Sequence, residues 1–412
     1  KAEVPEGWIR VFQGQLALYS GKTDKAIELL QQEAENSVAA HGMLAVAYFF
    51  DGRMLDYELA MGKLRERSPE TPEDHLFAGQ AWSFIDVEKA SEMVEHAVNE
   101  RNSPLARAIY AKVKATKALQ AGGDPKATES ALRDIEAARS FVGDTPFLLT
   151  IRLFVQHVAI KTEYVSLSPD LIHEAREIAD TVKSLPVGRV YLIQFFADIG
   201  DYEFAEQVWA SSNHKSDFET IAYIPVALQW KSPEEVLELV EGLIRFPGPY
   251  SRCATTMVMA LVPEKRAEAR RICEEQLRCQ TSYAALAGFV RILLLLDGAN
   301  DVRNKAAAFS DSWTTPYSSS QRAMEYIASP VDPEVYLEGM GRLPGRWTEV
   351  CYTIAVSQLA EGNRDEAVRY FERCTERGAF GSVFYWWANA LPKYMDEHPD
   401  WPQAVPAGRQ VE

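Results

Sequence analysis

The stretch Gly200-Asp-Tyr-Glu-Phe-Ala-Glu-Gln-Val-Trp209 shows a spacing that recurs along the chain. An apolar run, Val190 to Ile199, leads into Gly200. Ala205 follows five residues later, and the large apolar Trp209 comes four residues after that. The spacing recurs near both ends of the chain and, more loosely, at a third place: Gly21, Ala26 and Leu30; Gly362, Ala367 and Phe371; and Gly52, Tyr57 and Met61.

This spacing predicts a helical hairpin. Glycine ends the first helix because it adopts the left-handed backbone conformation at little steric cost. A polar or acidic residue then opens the second helix, where the helix dipole favours it. The small alanine lets the two helices approach closely, and the bulky residue one turn later fills the gap between them. One hairpin cannot bury its apolar face alone, so we expect successive hairpins to stack.

The spacing resembles that of the tetratricopeptide repeat family, whose pattern ends in Ala, three residues, Phe and a later Pro. Ala367 and Phe371 match this pattern, and Ala205 and Trp209 are close to it. Pro69 stands where the closing proline would follow the copy that begins at Gly52. The resemblance implies an all-α fold, a right-handed superhelix of about eleven hairpins, and a role as a binding scaffold.

Apolar periodicity and capping signals predict helices over nearly the whole chain. Phe384-Tyr-Trp-Trp387 lies in an expected capping helix, whose aromatic rings would cover the last repeat. We therefore divide the chain into N-terminal repeats, central and more divergent repeats, C-terminal repeats with the capping helix, and a disordered tail: residues 1–145, 146–311, 312–402 and 403–412.

The amino-acid composition limits the classes of partner that we expect this chain to bind. The chain has 43 Lys and Arg against 59 Asp and Glu, for a net charge of -16. This charge argues against nucleic acid, because phosphate binding needs clustered Lys and Arg. The negative charge slightly favours basic partners, although many acidic proteins carry such a charge only because it keeps them soluble. The longest apolar run, Tyr283 to Leu296, contains Arg291 and is too short to span a bilayer, so it predicts a buried helix.

The cysteines and the first residue suggest where the chain belongs. Its five cysteines are odd in number and never spaced as Cys-x-x-Cys, which predicts buried free thiols in a reducing compartment. We therefore expect a cytoplasmic location. The chain begins with Lys1 rather than Met, which suggests a piece of a longer protein, and that parent could be membrane-anchored.

The sequence contains no pattern typical of catalysis or of metal binding. The protein-kinase motifs His-Arg-Asp, Asp-Phe-Gly and Ala-Pro-Glu do not occur. The seven histidines are scattered, without His-Glu-x-x-His, and there is no Gly-x-Ser-x-Gly elbow. We therefore expect no enzyme activity, no cofactor and no metal in this chain.

The order of several segments is similar to that of the region C-terminal to the catalytic domain in serine/threonine protein kinases of planctomycete-type bacteria. The resemblance implies a regulatory or sensory region that binds proteins. A free-standing scaffold and the sensor arm of an ATP-dependent transcription regulator are the alternatives. The segments are Thr71-Pro-Glu-Asp74, Arg101-Asn-Ser-Pro-Leu-Ala-Arg107, Gly362-Asn-Arg-Asp-Glu-Ala367, Gly378-Ala-Phe380 and Asp400-Trp-Pro402.

The tetratricopeptide resemblance also implies a concave groove that is lined by the first helix of each hairpin. Side chains there are either anchors for a protein or extended peptide, or aromatic groups that pack between repeats. Projection of the family register onto this chain gives seven candidate groove residues: Trp8, Tyr19, Phe49, Phe50, His75, Trp82 and Gln194.

Overall fold

The computed structural model describes residues 6–402, except residues 21, 52, 85, 122, 213–216, 242–247, 280–282, 313–318, 340–343 and 377–379. These described residues form 23 α-helices and one short 3-10 helix before α16, and no strand, which confirms the all-α prediction. In chain order the helices are α1 (Glu6–Tyr19), α2 (Thr23–Gln31), α3 (Val38–Asp51), α4 (Met54–Arg65), α5 (Pro72–Trp82), α6 (Val87–Glu100), α7 (Pro104–Gln120), α8 (Pro125–Val142), α9 (Pro146–Lys161), α10 (Pro169–Val182), α11 (Pro186–Asp198), α12 (Tyr202–Ala210), α13 (Asp217–Ala227), α14 (Pro233–Glu241), α15 (Pro249–Leu261), α16 (Arg266–Cys279), α17 (Tyr283–Asp297), α18 (Ala299–Ser312), α19 (Ser319–Ala328), α20 (Pro333–Gly339), α21 (Pro344–Ala360), α22 (Arg364–Thr375) and α23 (Val383–Glu397).

The helices belong to two compact units, Lys1–Glu219 and Thr220–Glu412. The first unit holds the hairpins from α1 to α12, in which each odd-numbered helix packs on the even-numbered helix that follows it. The second unit begins within α13 and ends with α23. The four-segment division made from the sequence remains a prediction.

The repeated spacing has the structure expected of a hairpin. Gly200 follows α11 with a φ of 80°, in the left-handed region, while Ala205 and Trp209 of α12 are buried. The copy near the C-terminus behaves in the same way, and Gly21 and Gly52 of the other two copies lie outside the described residues. A left-handed glycine, a buried alanine and a buried aromatic residue thus recur at Gly362, Ala367 and Phe371.

Small residues set how closely the helices of the first unit approach each other. A Cβ atom added to Gly42 of α3 would lie 2.6 Å from the carbonyl oxygen of Phe77 in α5. At Gly14 of α1 it would lie 2.7 Å from the Cγ atom of Leu30 in α2. At Gly42 the neighbour is backbone, which cannot rotate away, so this helix pair has no room for a side chain.

The first unit brings the beginning and the end of its hairpin series together. Helix α1 contacts α9, and α3 contacts α11. Every residue from Ala39 to Tyr48 in α3, and from Phe147 to Val155 in α9, is buried. Helices that are buried on all sides lie inside a core rather than at its surface. The first helices of these hairpins therefore enclose a shared interior.

Helix α17 of the second unit is a buried helix, as its apolar sequence predicted. Its Arg291 lies in this core, and the guanidinium donates to Glu349 (Nη2–Oε1, 2.5 Å) and to the Thr353 hydroxyl (Nε–Oγ1, 2.9 Å). A buried charge is tolerated when it is paired and hydrogen-bonded in this way. Among the described residues, no helix combines the length and the apolar composition that crossing a bilayer requires.

The last helix, α23, packs on α22 as the capping prediction required. Trp386 is buried, and its Nε1–H donates to the carbonyl oxygen of Phe380 (2.7 Å). The same helix also reaches the start of its unit, because the Lys393 ammonium donates to the carbonyl oxygen of Gln229 (3.0 Å). The Tyr394 hydroxyl likewise donates to the carbonyl oxygen of Leu261. These contacts join helices that are far apart in the chain.

All five cysteines are free thiols, as predicted. Cys273, Cys351 and Cys374 are buried, and Cys253 is half-buried. Burial raises the pKa of the Cys273 and Cys374 thiols well above its ordinary value, which keeps them protonated. Cys279 is exposed at the last residue of α16, which corrects the expectation that every thiol would be buried.

The close approach of α3 and α5 gives a direct test. We expect Gly42→Ala to lower the free energy of unfolding by about 2–3 kcal/mol, since the new methyl group must push two backbones apart. Gly62→Ala in α4 is the matched control, because nothing lies within 4 Å of its Cβ position. It should raise the free energy of unfolding by about 0.5–1 kcal/mol through helix propensity. Urea denaturation of both variants measures the difference, and equal effects would contradict the close-packing account.

Candidate partner-binding surface

Helix α1 is apolar on two opposite sides. Val11 and Leu18 face the core and are almost fully buried. Ile9, Phe12 and Leu16 are 44%, 50% and 69% exposed. Residues at positions i, i+3 and i+7 share one side of a helix, so these three side chains form a continuous stripe. We call this stripe, Ile9, Phe12 and Leu16, the apolar face of α1.

A pocket of about 230 Å³ adjoins this face. Phe12 and Gln15 of α1 form one wall, and the N-terminal parts of α5 and α7 and the end of α6 form the others. Capping interactions fix the position at which α5 and α7 each begin. Proline occupies the first position of each helix, Thr71 and Asp74 form a reciprocal capping box, and the Ser103 hydroxyl accepts from the Ala106 N–H (3.1 Å). The other walls are made by Pro72, Glu73, Leu76, Arg101 and Leu105.

A second pocket, of about 370 Å³, lies against the other side of α1. Its lining includes Gly7 and Val11 of α1 and the carboxylates of Glu33, Glu70 and Asp74. The Asp74 carboxylate accepts from the Ala39 N–H at 2.8 Å, so it fixes the start of α3 as well as that of α5. The two pockets share one stretch of chain, because Pro72 and Glu73 line the first pocket and the next residue, Asp74, lines the second.

The walls of the two pockets carry more negative than positive charge. Four carboxylates line them, and two guanidinium groups pair with two of the four. Arg10 pairs with Glu33 (Nε–Oε1, 2.5 Å), and Arg101 pairs with Glu73. Glu70 forms no ion pair with the residues that the structure describes. The carboxylates are Glu33, Glu70, Glu73 and Asp74.

The seven groove candidates take different positions. The side chains of Trp8, Tyr19 and Phe50 lie outside the described part of the structure. The His75 ring meets the ring of His96 edge-on at 4.1 Å, and the buried Trp82 ring has the Lys89 ammonium 3.7 Å from its centroid. Gln194 is 3% exposed within α11. The Phe49 ring stacks on the ring of Phe84. Whether these side chains bind a partner remains a prediction.

Sequence reasoning missed Phe12, Leu76 and Leu105, which line the first pocket. The family register assigns groove positions by analogy, and it gave none of these three. A signal was nevertheless present in α1, because its apolar residues occur on both sides of the helical wheel. The neighbours of α1 include α2, α3 and α9, yet Ile9, Phe12 and Leu16 all stay at least 44% exposed.

Phe49 belongs to a cluster that joins three consecutive hairpins. Its ring stacks on Phe84 at 3.8 Å between centroids and meets Tyr57 edge-on at 5.4 Å. The ammonium of Lys112 in α7 lies 3.7 Å from the centroid of Phe84. We call Phe49, Tyr57, Phe84 and Lys112 the aromatic–lysine cluster. Burial lowers the pKa of Lys112 to about 7.

The described residues contain no group of three or more His, Cys, Asp and Glu side chains that could hold a metal ion. The two charged pockets therefore present single carboxylates and ion pairs, and not a coordination shell. What this surface can do chemically is to bury apolar side chains and attract positive charge.

No protein-family model matches the chain, and no curated protein matches it. Among solved structures, the chain is similar to the crystal structure of the yeast Tom70, with 12% sequence identity and a TM-score of 0.37. The similarity covers 96% of this chain and 98% of that chain. The all-α architecture rests on the helices described above and not on this similarity.

The buried position of Lys112 predicts a pH-dependent stability. Above pH 7 the folded state has released this proton, whereas the unfolded chain holds it up to a pKa near 10.4. Stability should therefore rise with pH between about 7 and 10, by at most about 1.4 kcal/mol per pH unit. Lys112→Met should raise the free energy of unfolding at pH 7 by about 2–4 kcal/mol and flatten this slope.

Lys114→Met is the control, because Lys114 lies on the same helix as Lys112 but its ammonium pairs with Asp134 of α8 at 2.8 Å. Its loss should leave the slope unchanged and slightly destabilise the fold. Urea unfolding at several pH values measures both variants. If the slope survives in Lys112→Met, the buried-amine account is wrong.

Proposed function

We propose that this chain is a non-catalytic scaffold that binds a segment of a partner protein along the apolar face of α1 and in the adjoining pocket. The observation that carries the proposal is the exposure of Ile9, Phe12 and Leu16 as one stripe beside a preformed cavity. Exposed apolar residues are common singly, but a contiguous stripe at a pocket is typical of a binding surface.

The partner segment that suits this surface is a basic amphipathic helix. An apolar stripe on α1 accommodates a second stripe with the same i, i+3, i+7 spacing, and the pocket beside Phe12 accepts one larger anchor. In the pocket beside Phe12 the one carboxylate, Glu73, pairs with Arg101. Three more carboxylates line the pocket on the other side of α1, where Lys and Arg that flank the apolar anchors would complement them: Glu33, Glu70 and Asp74. The net charge of -16 for the whole chain acts in the same direction at long range.

As the finer proposal, this scaffold is the C-terminal regulatory region of a bacterial serine/threonine protein kinase and works in the cytoplasm. There it would recruit substrates or report partner binding. Two of the segments that resemble the kinase family, Thr71–Asp74 and Arg101–Arg107, supply walls of the pocket, which supports a shared use of this site. A free-standing scaffold and the sensor arm of an ATP-dependent transcription regulator remain the alternatives.

A designed peptide tests the binding surface. The probe is a fluorescein-labelled helix with Leu at i, i+3 and i+7 and Lys on its remaining positions. We expect micromolar binding by fluorescence anisotropy. The double variant Phe12→Ser and Leu16→Ser should weaken it at least about tenfold, a loss of about 1.4 kcal/mol, because the anchors lose their apolar contact. Phe12 and Leu16 are both at least half exposed, so we expect the double variant to fold like the unchanged chain.

Leu59→Ser is the matched control, because Leu59 is 63% exposed on α4 and lies outside both pockets. It should bind the probe like the unchanged chain. A second peptide, with every Lys replaced by Glu, should bind at least about tenfold more weakly if the carboxylates contribute. Equal binding by the double variant and the unchanged chain would refute the surface, and equal binding of both peptides would refute the preference for basic partners.

The kinase attribution needs a different measurement. An antibody against this chain, used on extracts of the source cell, reports the mass of the polypeptide that carries it. A band near 46.2 kDa would indicate a free-standing scaffold. A much heavier band whose peptides contain the kinase motifs would support the regulatory role.

A further inference from the structure

Lys112 is a buried amine without a carboxylate partner among the described residues. It is 7% exposed, and its ammonium lies over the Phe84 ring, 3.7 Å from the centroid. The Ser83 hydroxyl is 3.5 Å away and donates its own hydrogen to the carbonyl oxygen of Gln80 (2.7 Å). The oxygen of Ser83 is thus turned to Lys112 as an acceptor. Lys114, two residues later, has both Asp134 and Ser130 within 2.9 Å.

This environment favours the neutral form of the amine. A lysine that is removed from water and lacks a counter-charge releases its proton more readily than a lysine on the surface. The neutral amine has a free electron pair and is a nucleophile, whereas the ammonium is not. Surface lysines are almost entirely protonated near neutral pH. Lys112 therefore differs chemically from its neighbours on α7.

The ring that covers the amine is partly exposed. Phe84 lies over the amine, Phe49 stacks on Phe84, and both residues are only half-buried. Phe84 lies in the short connection between α5 and α6, and not inside a helix. A small molecule can reach the Lys112 amine only when the Phe84 side chain moves aside.

We propose that Lys112 is a covalent modification site that takes the acyl group of small acyl phosphates. The amine nitrogen attacks the carbonyl carbon and forms a C–N bond. The bond between that carbon and the phosphate oxygen breaks, and phosphate leaves with the electron pair. The proton of the amine passes to phosphate or to water, and the product is an amide. No oxidant or reductant takes part.

The amide product also suits the site. It carries no charge, so the unfavourable burial of an ammonium disappears, and its N–H can still donate to Ser83. Because Lys112 contacts Phe84 of the third hairpin, and Phe84 stacks on Phe49 of the second, acylation would alter the junction of three hairpins. This site is separate from the apolar face of α1 and does not depend on the proposed function.

The test uses the full chain and acetyl phosphate. Peptide mass spectrometry after timed reactions between pH 6 and 10 gives an acetylation rate for each lysine. We expect Lys112 to react at least about tenfold faster than Lys114 at pH 7.5, since far more of it is neutral. Its rate should level off above about pH 8, while the rates of surface lysines continue to rise. Lys112→Arg keeps the positive charge and should remove only this adduct.

The same reaction in urea separates a reactive site from an inaccessible one. In the unfolded chain we expect Lys112 and Lys114 to react at similar rates. A Lys112 that reacts in urea and not in the folded chain would overturn the proposal, because the amine would then be closed to reagents. A Lys112 rate that rises with pH like those of the surface lysines would overturn it as well.

Discussion

The distance between the first helices of successive hairpins is the constraint on which the first unit depends. At Gly42 the backbone of α3 meets the backbone of α5 with no room for a Cβ atom. This closeness lets each first helix bury nearly its whole surface between neighbours, as α3 and α9 do. Helix α1 is the exception, because one of its apolar sides stays exposed. The exposed apolar face of α1 thus contrasts with the tight packing of the other first helices.

Buried positive charges in the two units have opposite chemical consequences. Arg291 is paired with Glu349 and hydrogen-bonded to Thr353, so its charge is part of the core of the second unit. Lys112 has a ring and a hydroxyl for neighbours, which cannot balance an ammonium. A guanidinium keeps its proton under nearly any conditions, while a buried lysine readily gives its proton up. The paired Arg291 stabilises the core of the second unit. The unpaired charge of Lys112 instead favours a neutral amine that can react.

The sequence predicted local features well, but it did not indicate the pocket beside Phe12. The sequence predicts the capping box of Thr71 and Asp74 and the left-handed Gly200 because each depends on residues only a few positions apart. The pocket beside Phe12 combines side chains of α1, α5 and α7, whose separation in the chain exceeds any local pattern. The family register therefore proposed groove residues such as Gln194, which α11 buries, and gave no sign of Leu105.

The sequence by itself determined the helices, their caps and their pairing into hairpins, because backbone hydrogen bonds and apolar periodicity act over one or two turns. Only the tertiary structure decided that α3 returns to α11 and that α23 reaches Gln229 and Leu261. The physical reason is that small rotations between neighbouring hairpins add up along the array. Their sum decides which distant helices meet, which apolar face stays exposed, and which lysine is left without a counter-charge.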